Sequence, residues 1–219
     1  MIRLVNLTKT YELEGVRKTV IENVTLTLPA KTSIGLLGRN GAGKSTLLRM
    51  IAGTQVPTSG KIVVEGSVSW PVGFAGSFHP DLTGGQNARY VARIYGVDSD
   101  ELVAFAKDFA ELGSHFNLPL RTYSSGMVSR LAFAISMGIA FDTYLVDEVT
   151  AVGDAAFRQK SHDLFRERMR NAGAIVVNHS MPSIRELCTK AIVLERGQLI
   201  WFEDIEEAIR YHNKNMVVR

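Results

Sequence analysis

Glycines, a lysine and two hydroxyl side chains stand close together between Gly38 and Thr46, where the chain reads GRNGAGKST. The spacing fits the phosphate-binding pattern G-x-x-x-x-G-K-[ST]. Glycines let the backbone turn inward so that its N–H groups cradle phosphate oxygens, and a following helix adds the positive end of its dipole. In such a loop the lysine, here Lys44, reaches the β- and γ-phosphates, and the next hydroxyl, on Ser45, ligates Mg²⁺. We therefore predict a nucleotide site formed by Gly38, Arg39, Asn40, Gly41, Ala42, Gly43, Lys44, Ser45 and Thr46.

The elements around this loop are predicted to be a buried strand before it and a helix after it. IGLLG, Ile34 to Gly38, reads as the strand, and GKSTLLRMIAG, Gly43 to Gly53, reads as a helix closed by glycine. Further elements are strands at TYLVDE (143–148) and AIVVNHS (174–180), a hairpin at KAIVLERGQLIWF (190–202), and helices near 154–170 and 204–213. Strands separated by helices predict a largely parallel sheet covered on both faces.

The overall composition is that of an ordinary globular protein. The 219 residues are 46% hydrophobic and 21% charged, which excludes a disordered chain and a repeat fibre. The net charge of +3 permits a polyanion or an acidic membrane surface nearby, although most mildly basic proteins have neither partner. The chain opens without a signal peptide, and its longest nearly apolar run, Leu131 to Phe141, is shorter than the ~20 residues that span a bilayer. We therefore expect a cytoplasmic protein, with its single Cys188 packed as a small hydrophobe.

Two peptides compete for the role of a second phosphate-contacting element. LTGGQ, Leu82 to Gln86, differs by one letter from LSGGQ, the signature peptide of the ATP-binding cassette (ABC) ATPases. YSSGM, Tyr123 to Met127, opens a long apolar helix, lies 20 residues before Asp147 when counted from Met127, and is followed three residues later by Arg130. Both spacings resemble those of the ABC ATPases, whereas LTGGQ comes far too early. LTGGQ instead resembles the start of the first helix in that family's helical subdomain, with Thr83 as the N-cap.

The other motifs of this family follow in order, and the resemblance assigns roles to their residues. It implies that Tyr11 stacks on adenine, although a packed tyrosine at a strand end is an equally good interpretation of that residue alone. Asp147 is implied to hold Mg²⁺ through water, and Glu148 to act as the general base. AVGD, Ala151 to Asp154, resembles the loop that crosses a dimer interface, and His179 resembles the histidine that senses the γ-phosphate. The remaining histidines are expected to be structural: His79, His115, His162 and His212.

The resemblance covers essentially the whole chain and implies a single α/β nucleotide-binding domain of ABC ATPase architecture. Its P-loop NTPase (RecA-like) core, with an antiparallel β subdomain, is expected at about residues 1–72 and 141–219. A helical subdomain is expected to be inserted at about residues 73–140.

The resemblance also implies a cycle of ATP binding and hydrolysis in a homodimer. Two copies are expected to pack head to tail, with each ATP between Lys44 and Ser45 of one copy and Ser124 and Gly126 of the other. ATP closes the pair, and hydrolysis lets it reopen.

This chain departs from the family pattern in two places. The signature reads YSSGM, so Ser124 and Gly126 keep the phosphate-facing positions while Met127 replaces a glutamine. The glutamine that usually follows the second-sheet strand is missing, and the chain reads SVSWPVGFAGSFHPDL there, Ser67 to Leu82. No Mg²⁺ ligand is therefore expected from this segment.

These departures favour one group of exporters within the family. YSSGM, WPVG, FAGSF and DEVTAVGD together resemble the ATPase subunits of capsule-polysaccharide exporters, although Trp70 and Pro71 of WPVG are also compatible with the end of a core strand. The resemblance implies a peripheral protein on the cytoplasmic face of a bacterial inner membrane, docked through Trp70 to Leu82 on permease subunits, two being expected, that move a lipid-linked polysaccharide. A charge at Phe74 or Phe78 should then uncouple export from ATP hydrolysis.

Three alternatives remain at this point. The cargo can be O-antigen, teichoic acid or another polymer; no additional carbohydrate-binding domain is expected, since the chain ends soon after its last predicted helix. A non-transport ABC ATPase acting on DNA or ribosomes is disfavoured, because the chain has neither a long coiled-coil insertion nor a second cassette, and no nucleic-acid partner is expected. A nucleoside kinase would explain Lys44 but not the signature helix or His179.

Overall fold

The computed structural model describes residues 1–73, 75–76, 78–147 and 153–217. Its elements in chain order are β1 (Ile2–Leu13), β2 (Val16–Leu28), β3 (Ser33–Gly38), α1 (Lys44–Ile51), β4 (Ser59–Val64), β5 (Val68–Pro71), α2 (Gly84–Tyr95), α3 (Ser99–Ala110), α4 (Ser125–Gly138), β6 (Thr143–Asp147), α5 (Ala155–Met169), β7 (Gly173–Val177), α6 (Met181–Leu187), β8 (Lys190–Glu195), β9 (Gln198–Phe202) and α7 (Ile205–Val217). The chain divides into two units: the first contains residues 1–71, 141–147 and 169–217, and the second is drawn from residues 72–140 and 153–168.

The first unit contains a six-stranded sheet in the order β5-β6-β7-β3-β8-β9. Its strands pair in parallel except for β9, which returns antiparallel to β8 through Arg196 and Gly197. Both turn residues have positive φ, 47° and 81°, as expected for a tight hairpin. All residues of β7 are buried, which requires cover on both faces of the sheet and is typical of parallel sheets.

A second, antiparallel sheet in the first unit has the order β2-β1-β4. Leu4 and Leu7 of β1 and Ile21 of β2 are buried in one cluster with Leu36 of β3 and Leu47 of α1. The shared core ties β1 to the strand and helix on either side of residues 38–46. The prediction of an α/β core with an antiparallel β subdomain is confirmed.

The second unit contains helices α2 to α5, and aromatic side chains of α3, α4 and α5 pack against one another. Phe109 of α3 lies 5.7 Å from Phe105 between ring centroids, 5.8 Å from Phe133 of α4, and 5.6 Å from Phe157 of α5. Offset and edge-to-face contacts of this kind add to the free energy gained by burying the rings. The cluster therefore fixes α4 and α5 against α3.

The LTGGQ stretch is a helix start, as predicted from its context. Thr83 is the N-cap of α2: its hydroxyl accepts a hydrogen bond from the Gln86 backbone N–H at 3.1 Å. The Gln86 side chain accepts one from the Thr83 backbone N–H at 2.9 Å, which completes a capping box. The glutamine of LTGGQ is thus bound to its own helix terminus.

Trp70 and Cys188 both lie in the core. Trp70 is 9% exposed in β5 and packs edge-on against Phe141 at 5.7 Å, which favours the alternative interpretation of Trp70 as the end of a core strand. Cys188 is buried, and burial raises the pKa of its thiol to about 12, which keeps the thiol protonated at neutral pH. Among the described residues, no helix is both long and apolar enough to cross a bilayer.

Candidate nucleotide-binding site

A cavity of about 850 Å³ opens in the first unit beside the predicted phosphate loop. It brings together most of the predicted nucleotide-site residues of that unit, which come from β1, the loop, α1 and the ends of β6 and β7. The lining residues are Tyr11, Glu14, Val16, Lys18, Val20, Asn40, Gly41, Gly43, Lys44, Ser45, Thr46, Asp147, Val177 and His179.

Glycine conformations shape the loop between β3 and α1. Gly38, Gly41 and Gly43 have φ values of 153°, 73° and 114°, which L side chains rarely adopt. A Cβ on Gly38 would lie 2.6 Å from the backbone oxygen of Leu194 in the neighbouring strand. Gly43 is the N-cap of α1 and carries no side chain that could cap the first N–H groups of the helix. With no capping side chain at this helix start, the first N–H groups and the positive end of the helix dipole are placed to bind an anion.

The Lys44 ammonium lies against the loop that it follows. Its Nζ donates hydrogen bonds to the backbone oxygens of Gly38 at 2.7 Å and Arg39 at 3.1 Å. The cation is thus held at the loop, on the wall of the cavity. Negative phosphate oxygens bound there could pair with the Lys44 ammonium and accept hydrogen bonds from the helix N–H groups.

The other side of the loop faces α7. Gly38, Arg39 and Ala42 line a second cavity of about 100 Å³ together with His212 and Asn215 of that helix. Burial lowers the pKa of His212, the charge of Lys44 lowers it further, and Glu195 partly opposes this. His212 is therefore uncharged at neutral pH, in keeping with a packing role.

The carboxyl ends of β6 and β7 contribute Asp147, Val177 and His179 to the main cavity. Asp147 and Val177 are register partners, so the end of β6 lies beside the end of β7, which itself pairs with β3. Parallel strands that end together commonly form ligand sites at that edge. The predicted Mg²⁺ shell residue and the predicted γ-phosphate sensor thus share a wall with the loop.

Ser45 and Asp147 offer the oxygen ligands that a Mg²⁺ ion prefers. Both line the same cavity. Within the residues that the structure describes, no group of three or more His, Cys, Asp or Glu side chains gathers to hold a metal. The two residues therefore fit an ion that takes its remaining ligands from phosphates and water, as Mg²⁺ usually does.

Tyr11 reaches the cavity from β1 and is anchored by its phenol. The hydroxyl shares a hydrogen bond with Thr46 Oγ1 at 3.0 Å and accepts one from Gln55 Nε2 at 2.6 Å. Burial raises the pKa of Tyr11, but these two hydrogen bonds and the charges of Lys9 and Arg49 bring it below the ordinary value. The ring is 38% exposed and lines the cavity, so it is not simply a packed residue at a strand end.

The signature peptide opens α4 in the second unit. Ser124 is the N-cap, and its hydroxyl accepts a hydrogen bond from the Met127 backbone N–H at 3.3 Å. Ser124, Ser125 and Gly126 are exposed. The predicted phosphate-facing residues of this peptide thus lie at a helix N-terminus with their surface open to solvent.

A side-chain clamp joins α4 to the start of α5 within the second unit. Asp154 accepts hydrogen bonds from Arg130 Nη2 at 2.7 Å and from the Phe157 backbone N–H at 2.9 Å. The Arg130 guanidinium lies 4.5 Å from the centroid of the Phe157 ring. A Cβ on Gly153 would lie 3.0 Å from Phe157 and 3.2 Å from Arg130 Nε, so a glycine makes room for this arrangement.

Some predicted residues lie outside the part of the chain that the structure describes. They are Glu148, the predicted general base, Ala151 and Val152 of AVGD, and Phe74 of the predicted docking segment. Their roles stay predictions from the sequence.

Sequence reasoning missed the part of the cavity lining that comes from the β1–β2 hairpin. The hairpin of β1 and β2 contributes Glu14, Val16, Lys18 and Val20 to the lining, and Gln55 binds Tyr11. The register that pairs Tyr11 with Lys18 follows from a two-residue turn at Glu14 and Gly15, both with positive φ. The letters EG between two strand-like runs were the available signal for the hairpin.

Comparison with known proteins gives a consistent result. The family model described as ABC transporter matches residues 21–151. The chain is 47% identical to the polysialic acid transport ATP-binding protein KpsT of Escherichia coli, over 95% of each chain. It is 44% identical to the capsule polysaccharide export ATP-binding protein CtrD of Neisseria meningitidis, over 97% of this chain and 99% of that protein. It is 35% identical to the O-antigen export system ATP-binding protein RfbB of Klebsiella pneumoniae, over 93% and 85%.

The fold is also similar to that of solved structures. The ATP-binding cassette MJ0796, solved as a dimer in a post-hydrolysis state bound to ADP and Pi, has a TM-score of 0.78 at 22% identity. The similarity covers 94% of this chain and 99% of that one.

Proposed function

The chain belongs to the ABC transporter family, and from this premise we propose that it is the ATP-hydrolysing subunit of an exporter for capsular polysaccharide. The observation that supports this cargo most strongly is the near full-length identity of 47% and 44% to proteins named for polysialic acid transport and capsule polysaccharide export. The identity to a protein named for O-antigen export is lower, at 35%. O-antigen and teichoic acid are therefore the alternative cargoes.

ATP binds in the 850 Å³ cavity, with its phosphates on the loop and its base toward Tyr11. The loop N–H groups and Lys44 neutralise the phosphate charge, and this attraction strengthens as charge develops on the transferring group. Ser45 would ligate Mg²⁺ directly and Asp147 would hold it through water. Bound Mg²⁺ would supply positive charge that stabilises the phosphate charge during hydrolysis.

Hydrolysis requires a water molecule oriented toward the γ-phosphorus. Glu148 follows Asp147 directly in sequence and polarises this water as the general base. His179, on the wall shared with the loop, contacts the γ-phosphate and distinguishes ATP from ADP. Phosphate and ADP are the products, and the proton from water leaves through Glu148.

A homodimer completes the site. Ser124 and Gly126 of one copy contact the phosphates held by Lys44 and Ser45 of the other copy. Their exposure at the start of α4 leaves them accessible to a second chain. Each ATP is then bound by both copies of the chain, so its hydrolysis weakens the dimer.

Transport requires a separate permease, on which the dimer docks at the cytoplasmic face of the inner membrane. The docking surface is the segment Trp70 to Leu82 with the neighbouring helix, and its exposed residues rather than the buried Trp70 and Val72 would make the contacts. The lipid-linked polysaccharide passes through the permease.

The test is to replace Lys44 with alanine in the native cell and to measure polysaccharide at the surface and inside. We expect loss outside and accumulation inside, because Lys44→Ala removes the cation at the phosphate loop. Lys107→Ala, at an exposed position on α3, is the matched control and should export normally. Chemical analysis of the accumulated polymer separates capsular polysaccharide from O-antigen and teichoic acid. Unchanged surface polymer, at normal protein levels and without a second gene copy, would refute the polysaccharide proposal.

A further inference from the structure

The phenol of Tyr11 forms hydrogen bonds with residues at both ends of helix α1. Thr46, which binds it at 3.0 Å, lies in the first turn of that helix. Gln55, which donates to it at 2.6 Å, lies just beyond the end of the helix at Ile51. The aromatic side chain is therefore held by contacts that reach from the phosphate loop to the segment after α1.

The segment that carries Gln55 is itself bound along β1. Thr58 Oγ1 accepts a hydrogen bond from the Thr10 backbone N–H at 2.9 Å, and the Thr58 backbone N–H donates to Thr8 at 2.8 Å. Lys9 Nζ donates to the backbone oxygen of Val56 at 2.9 Å. The Gln55 backbone N–H itself donates to the Arg49 backbone oxygen at 3.2 Å, so hydrogen bonds hold the backbone both at Gln55 and just after it.

Lys9 also occupies the space over the Tyr11 ring. Its Nζ lies 5.2 Å from the ring centroid, within the range of a cation–π contact. Tyr11 is also 38% exposed and lines the cavity. A flat aromatic base can stack on its ring, and stacking on a ring already fixed loses less side-chain freedom than stacking on a mobile one.

We infer that Gln55 is a positioning residue for the Tyr11 ring and through it sets the affinity for the nucleobase. This inference rests on the proposed function, since it takes the cavity to hold ATP. Gln55 itself need not touch the nucleotide. It fixes the ring together with Thr46, so that the base platform and the phosphate loop keep a constant separation.

The experiment measures nucleotide binding by Gln55→Leu, Tyr11→Phe and the double variant. Each single change removes a partner of the Gln55–phenol bond and leaves the ring. We expect ATP binding to weaken by about three- to tenfold in each, as for one side chain that loses its pre-organisation. KM for ATP should rise by the same factor with kcat unchanged, because a stacked base is held equally in the ground and transition states. The double variant should be no weaker than Tyr11→Phe, since Tyr11→Phe already removes the bond to Gln55 together with the bond to Thr46.

Inorganic tripolyphosphate separates the base end from the phosphate end. It has no base, so its affinity should be the same in wild type, Gln55→Leu and Tyr11→Phe. Gln159→Leu, at an exposed position on α5, is the matched control and should change neither affinity. If Gln55→Leu does not fold, Gln55→Met keeps a similar side-chain length, adds no charge and has no amide donor, and the same results are expected from it.

The possible outcomes separate this inference from the proposed function. Unchanged ATP affinity in both single variants, or additive losses in the double variant, would overturn the role of Gln55 while ATP binding by the wild type stood. Equal losses for ATP and tripolyphosphate would show a general structural effect and would also overturn it. A wild-type protein that binds no ATP would refute the proposed function instead.

Discussion

The phosphate loop and the signature peptide both lie at the start of a helix, but they are built differently. The loop enters α1 through Gly43, in a left-handed conformation and without a capping side chain. The signature peptide enters α4 through Ser124, whose hydroxyl caps the Met127 N–H. The shape of the loop is thus fixed by its backbone, whereas the signature peptide is held by side chains.

Their glycines show the same difference. A Cβ at Gly38 would collide with the backbone of a neighbouring strand. A Cβ at Gly126 would have, among the described atoms, only Ser124 Oγ within 4 Å, at 3.9 Å. The fold of a single chain therefore requires Gly38 but not Gly126. If Gly126 is needed for activity, that need arises from a ligand or a second copy of the chain.

The largest effect is expected from Gly38→Ala. The new Cβ would lie 2.6 Å from Leu194 O at a φ of 153°, so the end of β3 or the strand beside it has to move. We expect loss of ATP binding and a large fall in melting temperature, measured by calorimetry. Gly41→Ala is the control: its φ is 73°, but no described atom lies within 4 Å of the added Cβ. It should cost only about 1–2 kcal/mol of stability for the left-handed conformation. Equal melting temperatures for the two variants would contradict a fold requirement for Gly38.

Gly126→Ala should separate stability from activity. Alanine in the first turn of α4 has room and a better helix propensity, so the unfolding free energy should rise by about 0.5–1 kcal/mol. ATP binding to the monomer should stay the same, while ATP-dependent dimerisation and hydrolysis fall by about tenfold or more if the methyl group meets a phosphate of the other copy. Sedimentation with MgATP and steady-state hydrolysis are the measurements. A wild-type rate of hydrolysis by Gly126→Ala would contradict a role for Gly126 in the dimeric site.

The two peptides also differ in how far the sequence predicts them. The phosphate loop is predicted with its strand and helix because its positive-φ glycines and Lys44 lie within seven residues of the chain. The capping box at Thr83 and Gln86 was within reach for the same reason. The bond between Tyr11 and Gln55 was not, because it joins side chains 44 residues apart that only the folded sheet brings together.

The order of strands in the sheet is likewise not predicted from the sequence, because it depends on which distant segments become neighbours. Strand β3 lies between β7 and β8, and the sequence pattern identified these strands without their neighbours. Similarly, the spacing around Arg130 indicated the signature helix, but its bond to Asp154 depends on how α4 and α5 pack.

The smallest effect is expected at this clamp, and it tests whether side chains hold the signature peptide. Arg130→Lys keeps the charge but loses the planar group that binds Asp154 and covers the Phe157 ring. We expect hydrolysis to fall by about two- to fivefold, the value of one cation–π contact, with the ATP affinity of the monomer unchanged. The monomer affinity should not move because in the proposed site the nucleotide of a single copy contacts the loop and Tyr11 rather than α4.

Arg121→Lys provides the comparison on the same unit. Arg121 pairs with Asp81 and both side chains are exposed, at 62% and 57%, so this substitution should leave hydrolysis at the wild-type rate. A fall in Arg130→Lys but not in Arg121→Lys would show that the peptide depends on a side-chain clamp remote from its own residues. Equal rates in both variants and the wild type would mean that Ser124 alone sets the start of α4. The conformation of the signature peptide would then depend only on its own residues, as that of the phosphate loop does. The two regions would differ only in whether the fold requires their glycines.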